Sequence, residues 1–91
     1  MTSPPDPITL RVLTGEGVAF EARAVSIVAP GTLGYLGMLR NHAPLVTTLT
    51  PGKLTWRTPN GQAHTLRVGS GLLEIVQNRC TVLTDQATDV L

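Results

Sequence analysis

Apolar and polar residues alternate along most of the chain, and turn signals interrupt this alternation at short, even intervals. Ile8, Leu10 and Val12 alternate with Thr9 and Arg11, and residues 54–57 and 65–68 repeat the two-residue period. Gly, Pro and Asn cluster between these stretches, which are rich in Val, Leu, Ile and Thr. This rhythm is typical of an all-β sandwich or barrel whose strands each bury one face.

Two hairpins are predicted where a pair of alternating stretches flanks a short turn. They comprise residues 53–58 with 62–68 around Pro59-Asn60-Gly61, and residues 71–76 with 79–85 around Gln77-Asn78. Asn-Gly favours a tight hairpin turn because both residues tolerate positive φ. Residues 85–91 carry no strand pattern, and we expect coil or a single helical turn there.

The phase of the alternation changes once inside an apolar stretch. Val18, Phe20, Ala22 and Ala24 are predicted to share one face, whereas Val25 and Ile27 continue the apolar pattern in the opposite phase. A one-residue shift moves every side chain to the other face of a sheet. The phase change therefore predicts a β-bulge or a crossing from one sheet to another.

Length and composition indicate one small cytoplasmic domain. The chain has 91 residues and a net charge of +1, with Lys53 as its one lysine, so it lacks the clustered cations that nucleic acid requires. One cysteine excludes an internal disulfide, and no apolar run approaches the roughly 20 residues of a membrane span. The expected organisation is a flexible Pro-rich leader over residues 1–7, a β domain over residues 8–87 and a stub over residues 88–91.

Catalytic chemistry finds little support in the residue pattern. Cys80 with His42 or His64 could form a nucleophile and base, but Cys80 shares strand parity with Val82, which favours a core position. Two isolated histidines and a cysteine do not have the spacing of metal ligands. No carboxylate pair and no phosphate-binding glycine motif is present. We therefore expect no catalytic residue, no metal and no cofactor.

The most informative stretch is residues 30–52, which is rich in Gly and Pro and yet apolar. Loops rich in Gly and Pro are usually polar. An apolar one indicates a backbone held against the core or against a partner.

These residues resemble the epsilon subunit of F-type ATP synthase. The resemblance runs from about Ile8 to Ala87, and its motifs occur in the order of that family. They are Pro30-Gly31, Gly34-Tyr35-Leu36-Gly37-Met38, Asn41-His42-Ala43-Pro44-Leu45 with Thr47, Pro51-Gly52, Gly71-Leu72-Leu73-Glu74-Ile75 and the segment from Asn78 to Ala87.

The resemblance implies a flattened β-sandwich of about ten short, mostly antiparallel strands. It also implies a non-catalytic subunit of the central stalk, which links the gamma subunit to the c-ring and couples ion-driven rotation to ATP synthesis. Such a subunit is peripheral to the cytoplasmic face of the cell membrane and is not inserted in it. The alternative interpretation is a free-standing β-sandwich module that binds another protein or ligand.

The same resemblance assigns residues to two partner surfaces. The gamma surface comprises His42, Ala43, Pro44, Thr47 and Glu74. The c-ring surface comprises Gly34, Tyr35, Leu36, Gly37 and Met38. For any single one of these Gly and Pro residues, shaping a turn of the sandwich is an equally good explanation.

The chain also departs from the family pattern. Tyr35 stands where Glu is common, Arg40 where Pro is usual and Leu72 where Phe is usual. Tyr35 exchanges a charge for an amphipathic ring, which is common at interface hot spots. The family usually continues into a C-terminal helical hairpin beyond the sandwich. We accordingly expect this polypeptide to have neither inhibition by that hairpin nor a nucleotide site.

Overall fold

The computed structural model describes residues 6–90, and these residues form ten β-strands. Strand is the one regular element in this range, which holds no helix that could cross a membrane. The strands are β1 (Ile8–Thr14), β2 (Gly17–Ala24), β3 (Ser26–Gly31), β4 (Gly34–Leu39), β5 (Leu45–Leu49), β6 (Gly52–Arg57), β7 (Ala63–Val68), β8 (Gly71–Val76), β9 (Arg79–Thr84) and β10 (Ala87–Asp89). Most of the predicted leader lies outside the described residues.

The strands form two layers of a sandwich. The first layer has the order β10-β7-β6-β3-β4, and the second has the order β5-β8-β9-β1-β2. The two layers are joined where Gly31 of β3 pairs with Leu49 of β5. Every pairing is antiparallel except that of β1 with β9. The predicted all-β sandwich of about ten mostly antiparallel strands is confirmed.

The two layers are built from strands that bend and pass from one layer into the other. Leu49 of β5 pairs with Gly71 of β8, and three residues further on Gly52 of β6 pairs with Val68 of β7. The register is therefore continuous, and residues 45–57 and 63–76 form one long hairpin that folds over. The pairing of Ala87 with Val68 continues the β8–β9 register in the same way.

Close approach of two backbones defines this bend. The Gly69 N–H donates to the Gln86 carbonyl at 3.0 Å, and the Asp85 N–H donates to the Ser70 carbonyl at 3.3 Å. The buried Thr84 hydroxyl lies 3.0 Å from the same Ser70 oxygen. A Cβ atom on Gly71 would overlap the Leu83 carbonyl, and one on Gly69 would overlap the Asp85 carboxylate. The bend therefore requires glycine at position 71, where the neighbouring atoms belong to the backbone.

The inward face of every strand contributes to one hydrophobic core, that of β10 through the half-buried Ala87. Phe20 of β2 and Trp56 of β6 link the two layers with an edge-to-face contact at 5.1 Å between ring centroids. Each large side chain that is removed from water contributes about 1.5–3 kcal/mol. The fully buried members are Ile8, Leu10, Val12, Ala24, Ile27, Ala29, Leu54, Leu73, Ile75, Cys80 and Val82.

The predicted phase change is confirmed as a crossing between layers. Strand β2 belongs to the second layer and ends at Ala24, whereas β3 begins at Ser26 in the first layer. A bulge lies earlier in the same strand, because Val12 pairs with Phe20 and Leu13 pairs with Val18. This bulge makes the predicted position of Val18 wrong: its side chain faces outward and is 52% exposed.

Both predicted hairpins are confirmed, but their turns differ. Gln77 and Asn78 have φ of 48° and 59°, which is the two-residue turn that matches strand twist. The loop between β6 and β7 is longer. In it Gly61 has a positive φ of 90°, whereas Asn60 does not have positive φ. The final segment was expected as coil or a helical turn. Instead Ala87–Asp89 forms β10, since β7 offers an open edge.

Gly71→Ala should lower the free energy of unfolding by about 2–4 kcal/mol, because the new methyl group would displace the backbone of β9. Gly37→Ala is the matched control in another strand, with nothing within 4 Å of an added Cβ and an ordinary φ. Urea unfolding of both variants measures the difference. Equal midpoints for the two variants would contradict the close approach at the bend.

Candidate functional site

The Gly- and Pro-rich stretch forms the β3–β4 hairpin, the loop that follows it, and β5. Gly31 pairs with Gly34 at the start of the two-residue turn of the hairpin, and Gly34 has φ of 126°, which favours glycine. Thr32 fixes the tip to β5, since its N–H donates to the Thr48 carbonyl at 3.2 Å and the two hydroxyls lie 2.8 Å apart. The hairpin tip is therefore held rigidly at one end of the sandwich.

The predicted c-ring residues lie along β4, and strand alternation divides them. Tyr35 and Gly37 face outward and are exposed, as is Gly34, whereas Leu36 is half-buried against the core. Met38 is 1% exposed and packs inside the sandwich. The prediction that Met38 belongs to a contact surface is therefore wrong for its side chain, which lies beside Ile27 on the inner face.

Two exposed leucines beside this strand were absent from the predicted surface. Leu33 is fully exposed at the hairpin tip, and Leu39 is 68% exposed at the far end of β4. Leu39 has the same strand parity as Tyr35, which would have identified it once β4 was assigned. Leu33 carries a simpler signal, because an apolar residue at the tip of a Gly-flanked turn has no core to enter.

The Tyr35 side chain reaches across β3 toward the first residue of β6. Its ring is 67% exposed. A Cβ atom on Gly52 would lie 3.6 Å from the Tyr35 hydroxyl, so this hydroxyl is near the bend between β5 and β6. The same Cβ atom would lie only 2.8 Å from Cβ of Pro30, so the absence of a side chain at Gly52 makes room for the Pro30 ring.

The loop between β4 and β5 is held by a reciprocal pair of asparagines. The Asn41 N–H donates to Oδ1 of Asn78 at 2.7 Å, and Nδ2 of Asn78 donates to Oδ1 of Asn41 at 3.0 Å. Both residues have positive φ, which asparagine tolerates better than most residues. The pair ties this loop to the β8–β9 turn. Sequence reasoning named both residues as parts of motifs and did not pair them.

Three of the predicted gamma residues lie in this loop. His42 is half-buried; its N–H donates to the Leu39 carbonyl at 3.2 Å, and its Nδ1 lies 2.6 Å from the Ala43 carbonyl. This second contact assigns the ring proton to Nδ1 and leaves Nε2 as an acceptor. Ala43 and Pro44 are exposed beside it. The loop thus offers a small apolar surface with one imidazole acceptor.

The other two predicted gamma residues lie on different sides of the second layer. Glu74 on β8 is exposed and pairs with Val46, so both face outward. Thr47 has the opposite strand parity and is half-buried, with its hydroxyl 3.4 Å from the Thr48 carbonyl. The structure therefore brings Glu74 together with Val46, and it places Thr47 on the inner side of the β5 edge.

The outer face of the second layer carries an apolar row that sequence reasoning missed. Leu72, Leu83, Leu13 and Val18 are cross-strand neighbours on four adjacent strands, and all but the half-buried Leu13 are exposed. In the next row the Arg11 guanidinium lies 3.1 Å from the Glu21 carboxylate, and both groups are largely solvated. The sequence alone does not show this row, because it depends on the bulge that pairs Leu13 with Val18 and on the parallel register that pairs Leu13 with Leu83.

The residues considered for catalysis are not brought together. Cys80 is fully buried between Ile75 and Leu10, its neighbours in register, and desolvation raises the pKa of its thiol to about 12. His64 instead stacks on Trp56, with ring centroids 5.6 Å apart. Within residues 6–90 no group of three or more His, Cys, Asp and Glu side chains could hold a metal ion. The predicted core position of Cys80 is confirmed.

These features define a class: a small β-sandwich whose candidate sites are exposed surfaces. Residues 7–90 match the family described as ATP synthase, Delta/Epsilon chain, beta-sandwich domain, and the chain belongs to this family. It is similar to the ATP synthase epsilon chain of Stenotrophomonas maltophilia (strain K279a), with 41% identity over 76 residues that cover 84% of this chain and 54% of that protein. The epsilon chain of Moorella thermoacetica is 39% identical over 80 residues, which cover 88% and 60%. The chain thus spans little more than half the length of these relatives.

Two solved structures share the fold. A chain in the Euglena gracilis mitochondrial ATP synthase, solved by cryo-EM as OSCP/F1/c-ring, aligns with a TM-score of 0.86 and 19% identity over 97% of this chain and 56% of that one. A chain in the Tetrahymena thermophila mitochondrial ATP synthase central stalk and c-ring aligns with a TM-score of 0.73 and 16% identity, over 96% and 69%. At these identities the likeness is one of fold.

The asparagine pair predicts a measurable coupling. Asn41→Gly and Asn78→Gly keep positive φ accessible and remove the amide, so each should lower the free energy of unfolding by about 1 kcal/mol. The double variant should lose about 0.5–1 kcal/mol less than the two single losses combined. Urea unfolding of the four proteins completes the cycle. Strict additivity would show that the pair does not tie the loop to the turn.

The buried thiol predicts a dependence of stability on alkaline pH. The pKa of Cys80 rises from 9.0 to about 12 on folding, so the unfolded chain loses its proton first as pH increases. The contribution of Cys80 to the free energy of unfolding is constant below pH 9 and should fall by about 1.4 kcal/mol per pH unit between pH 9 and 12. Cys80→Val should lack this component when both proteins are unfolded in urea across that range. Identical slopes would contradict the burial of the thiol.

Proposed function

We propose that this chain is the β-sandwich part of an epsilon-type subunit in a rotary ATP synthase. In this role it is a non-catalytic rotor component that links gamma to the c-ring and helps couple ion-driven rotation to ATP synthesis. The observation that carries the proposal is the family match over residues 7–90, together with about 40% identity to proteins named as epsilon chains. The solved relatives of this fold are parts of assemblies that contain a c-ring or a central stalk.

The gamma surface in this proposal centres on the loop before β5 and on the outer side of β5 and β8. His42, Ala43 and Pro44 form one part, and Glu74 with Val46 forms the other. The Asn41–Asn78 pair supports this assignment, because a loop that is already ordered loses less conformational entropy when it docks. Thr47 belongs to this surface through its backbone on the β5 edge.

The c-ring surface centres on the β3–β4 hairpin, at the opposite end of β4 from the gamma loop. A six-residue strand separates the two surfaces by about 17 Å between its first and last Cα atoms. Gly34, Tyr35 and Gly37 are its exposed members, with the Leu33 tip beside them and Leu36 supporting them from below. Met38 contributes packing only.

In this role the chain is located at the cytoplasmic face of the cell membrane as a peripheral component. The described residues include no helix that could cross a membrane, so its attachment in this proposal is through partner subunits. No part of the proposed role requires a cofactor of its own.

The test is co-purification of the tagged chain with the gamma subunit of its own organism. The wild-type chain should retain gamma through washing. His42→Glu and Glu74→Lys should each weaken the complex by about 1–3 kcal/mol, because each places an unmatched charge in the proposed contact. Titration of gamma against each immobilised variant measures the loss.

The matched controls are Gln62→Glu in the β6–β7 turn and Glu16→Lys in the β1–β2 turn, both of which change the charge of an exposed residue. Both should bind gamma as the wild-type chain does. If folded wild-type chain does not bind gamma at all, the proposed function is wrong. If gamma binds all variants equally, the function stands and the assigned surface is wrong.

A further inference from the structure

The cations and anions of this chain are distributed unequally between the two outer faces. On the second layer Arg11, Arg23 and Arg79 share the outer face with Glu21 and Glu74. The first layer is different, since Lys53, Arg57 and Arg67 all face outward from β6 and β7. Among residues 6–90 no carboxylate has the strand position to share that face; Asp89, the one acid in its strands, pairs with the inward Leu66.

The register places two of these cations directly against each other. Lys53 pairs with Arg67 across β6 and β7, and like charges in opposite positions destabilise a sheet. The row beyond them holds Thr55 and Thr65, whose hydroxyls lie 3.3 Å apart. Arg57 donates through Nη1 to the Gly61 carbonyl at 2.8 Å, which leaves its other N–H groups free. An anionic partner would relieve this repulsion.

The neighbouring strands of the same face are apolar. Val28 of β3 pairs with Thr55, and both Tyr35 and Leu39 face outward from β4, the edge strand. All three side chains are exposed, and Leu33 projects from the hairpin tip beside them. The outer face of the first layer is therefore cationic along β6 and β7 and apolar along β3 and β4.

We propose that this face, defined by Val28, Leu39, Lys53, Arg57 and Arg67, rests on the surface of an anionic phospholipid bilayer. The cations pair with headgroup phosphates, while the apolar side chains reach the boundary between headgroups and acyl chains. A bilayer fits better than an acidic protein, because cations and exposed apolar side chains lie side by side on one face of the sheet.

The expected binding is weak and reversible. Each cation near an anionic bilayer raises the partition coefficient about fivefold, and one inserted leucine raises it roughly tenfold. Three cations and one inserted leucine thus raise the partition coefficient roughly a thousandfold over that of a chain with neither. Such a contact would orient a chain that is already held near a membrane.

The inference does not rest on the proposed function. The isolated chain with pure lipid tests the membrane contact in the absence of gamma and of the ring. Failure of the vesicle experiment would therefore leave the gamma-binding experiment unaffected, and the reverse also holds.

The experiment is co-sedimentation of the full chain with sucrose-loaded vesicles of equimolar phosphatidylglycerol and phosphatidylcholine, at millimolar lipid and low salt. The wild-type chain should sediment with these vesicles, should not sediment with pure phosphatidylcholine, and should be released at high salt. The Lys53→Gln, Arg67→Gln double variant should lose about 25-fold in partition coefficient. Leu39→Ser should lose roughly tenfold.

The matched control is the Arg23→Gln, Arg79→Gln double variant, which removes the same charge from the outer face of the other layer. It should bind within about twofold of the wild-type chain, apart from the small effect of net charge. Circular dichroism of every variant confirms folding. Absence of wild-type binding to the anionic vesicles would overturn the proposal, and so would equal losses in the two double variants.

Discussion

The bend line across three long strands is the constraint on which the rest of this structure depends. Residues 45–57, 63–76 and 79–89 each belong to both layers, so the two layers cannot slide or separate without breaking a continuous register. The bend is possible because Gly71 lets the backbone of Leu83 approach where any side chain would collide, and because Gly69 leaves room for the Asp85 carboxylate. The core of a domain this small gives only marginal stability. The continuous strands add to that stability because they couple the packing of one layer to that of the other.

The candidate contact surfaces are held in place by hydrogen bonds between the two layers. Two sets of contacts hold the ends of the β3–β4 hairpin: Thr32 bonds to Thr48 near the tip, beside the bend, and Asn41 bonds to Asn78 beyond the base. Both anchors reach the second layer, although the hairpin itself belongs to the first. A surface held at both ends presents its exposed side chains at fixed positions, which lowers the entropy lost on binding.

Much of the fold could be predicted from the sequence because strand alternation is local. The period-two pattern identified both hairpins, the core position of Cys80 and the crossing after Ala24. What it missed depends on pairing between distant segments. Val18 was placed on the wrong face because a bulge is a property of two strands, and β10 was missed because its pattern is too short without β7 beside it. Of the ten candidate interface residues, Met38 failed for a local reason, since the motif was taken whole and its alternation was not applied.

The features most informative about partners were also the least accessible from sequence. A net charge of +1 gives no sign that one outer face carries cations alone while the other mixes both signs. That difference appears only when register places Lys53 against Arg67 and pairs Asp89 with Leu66 instead of with one of the cations. The two outer faces therefore differ in chemistry: the second layer carries an apolar row beside charges of both signs, and the first carries cations beside apolar side chains. A sandwich with two such faces is suited to contact two neighbours of different chemistry.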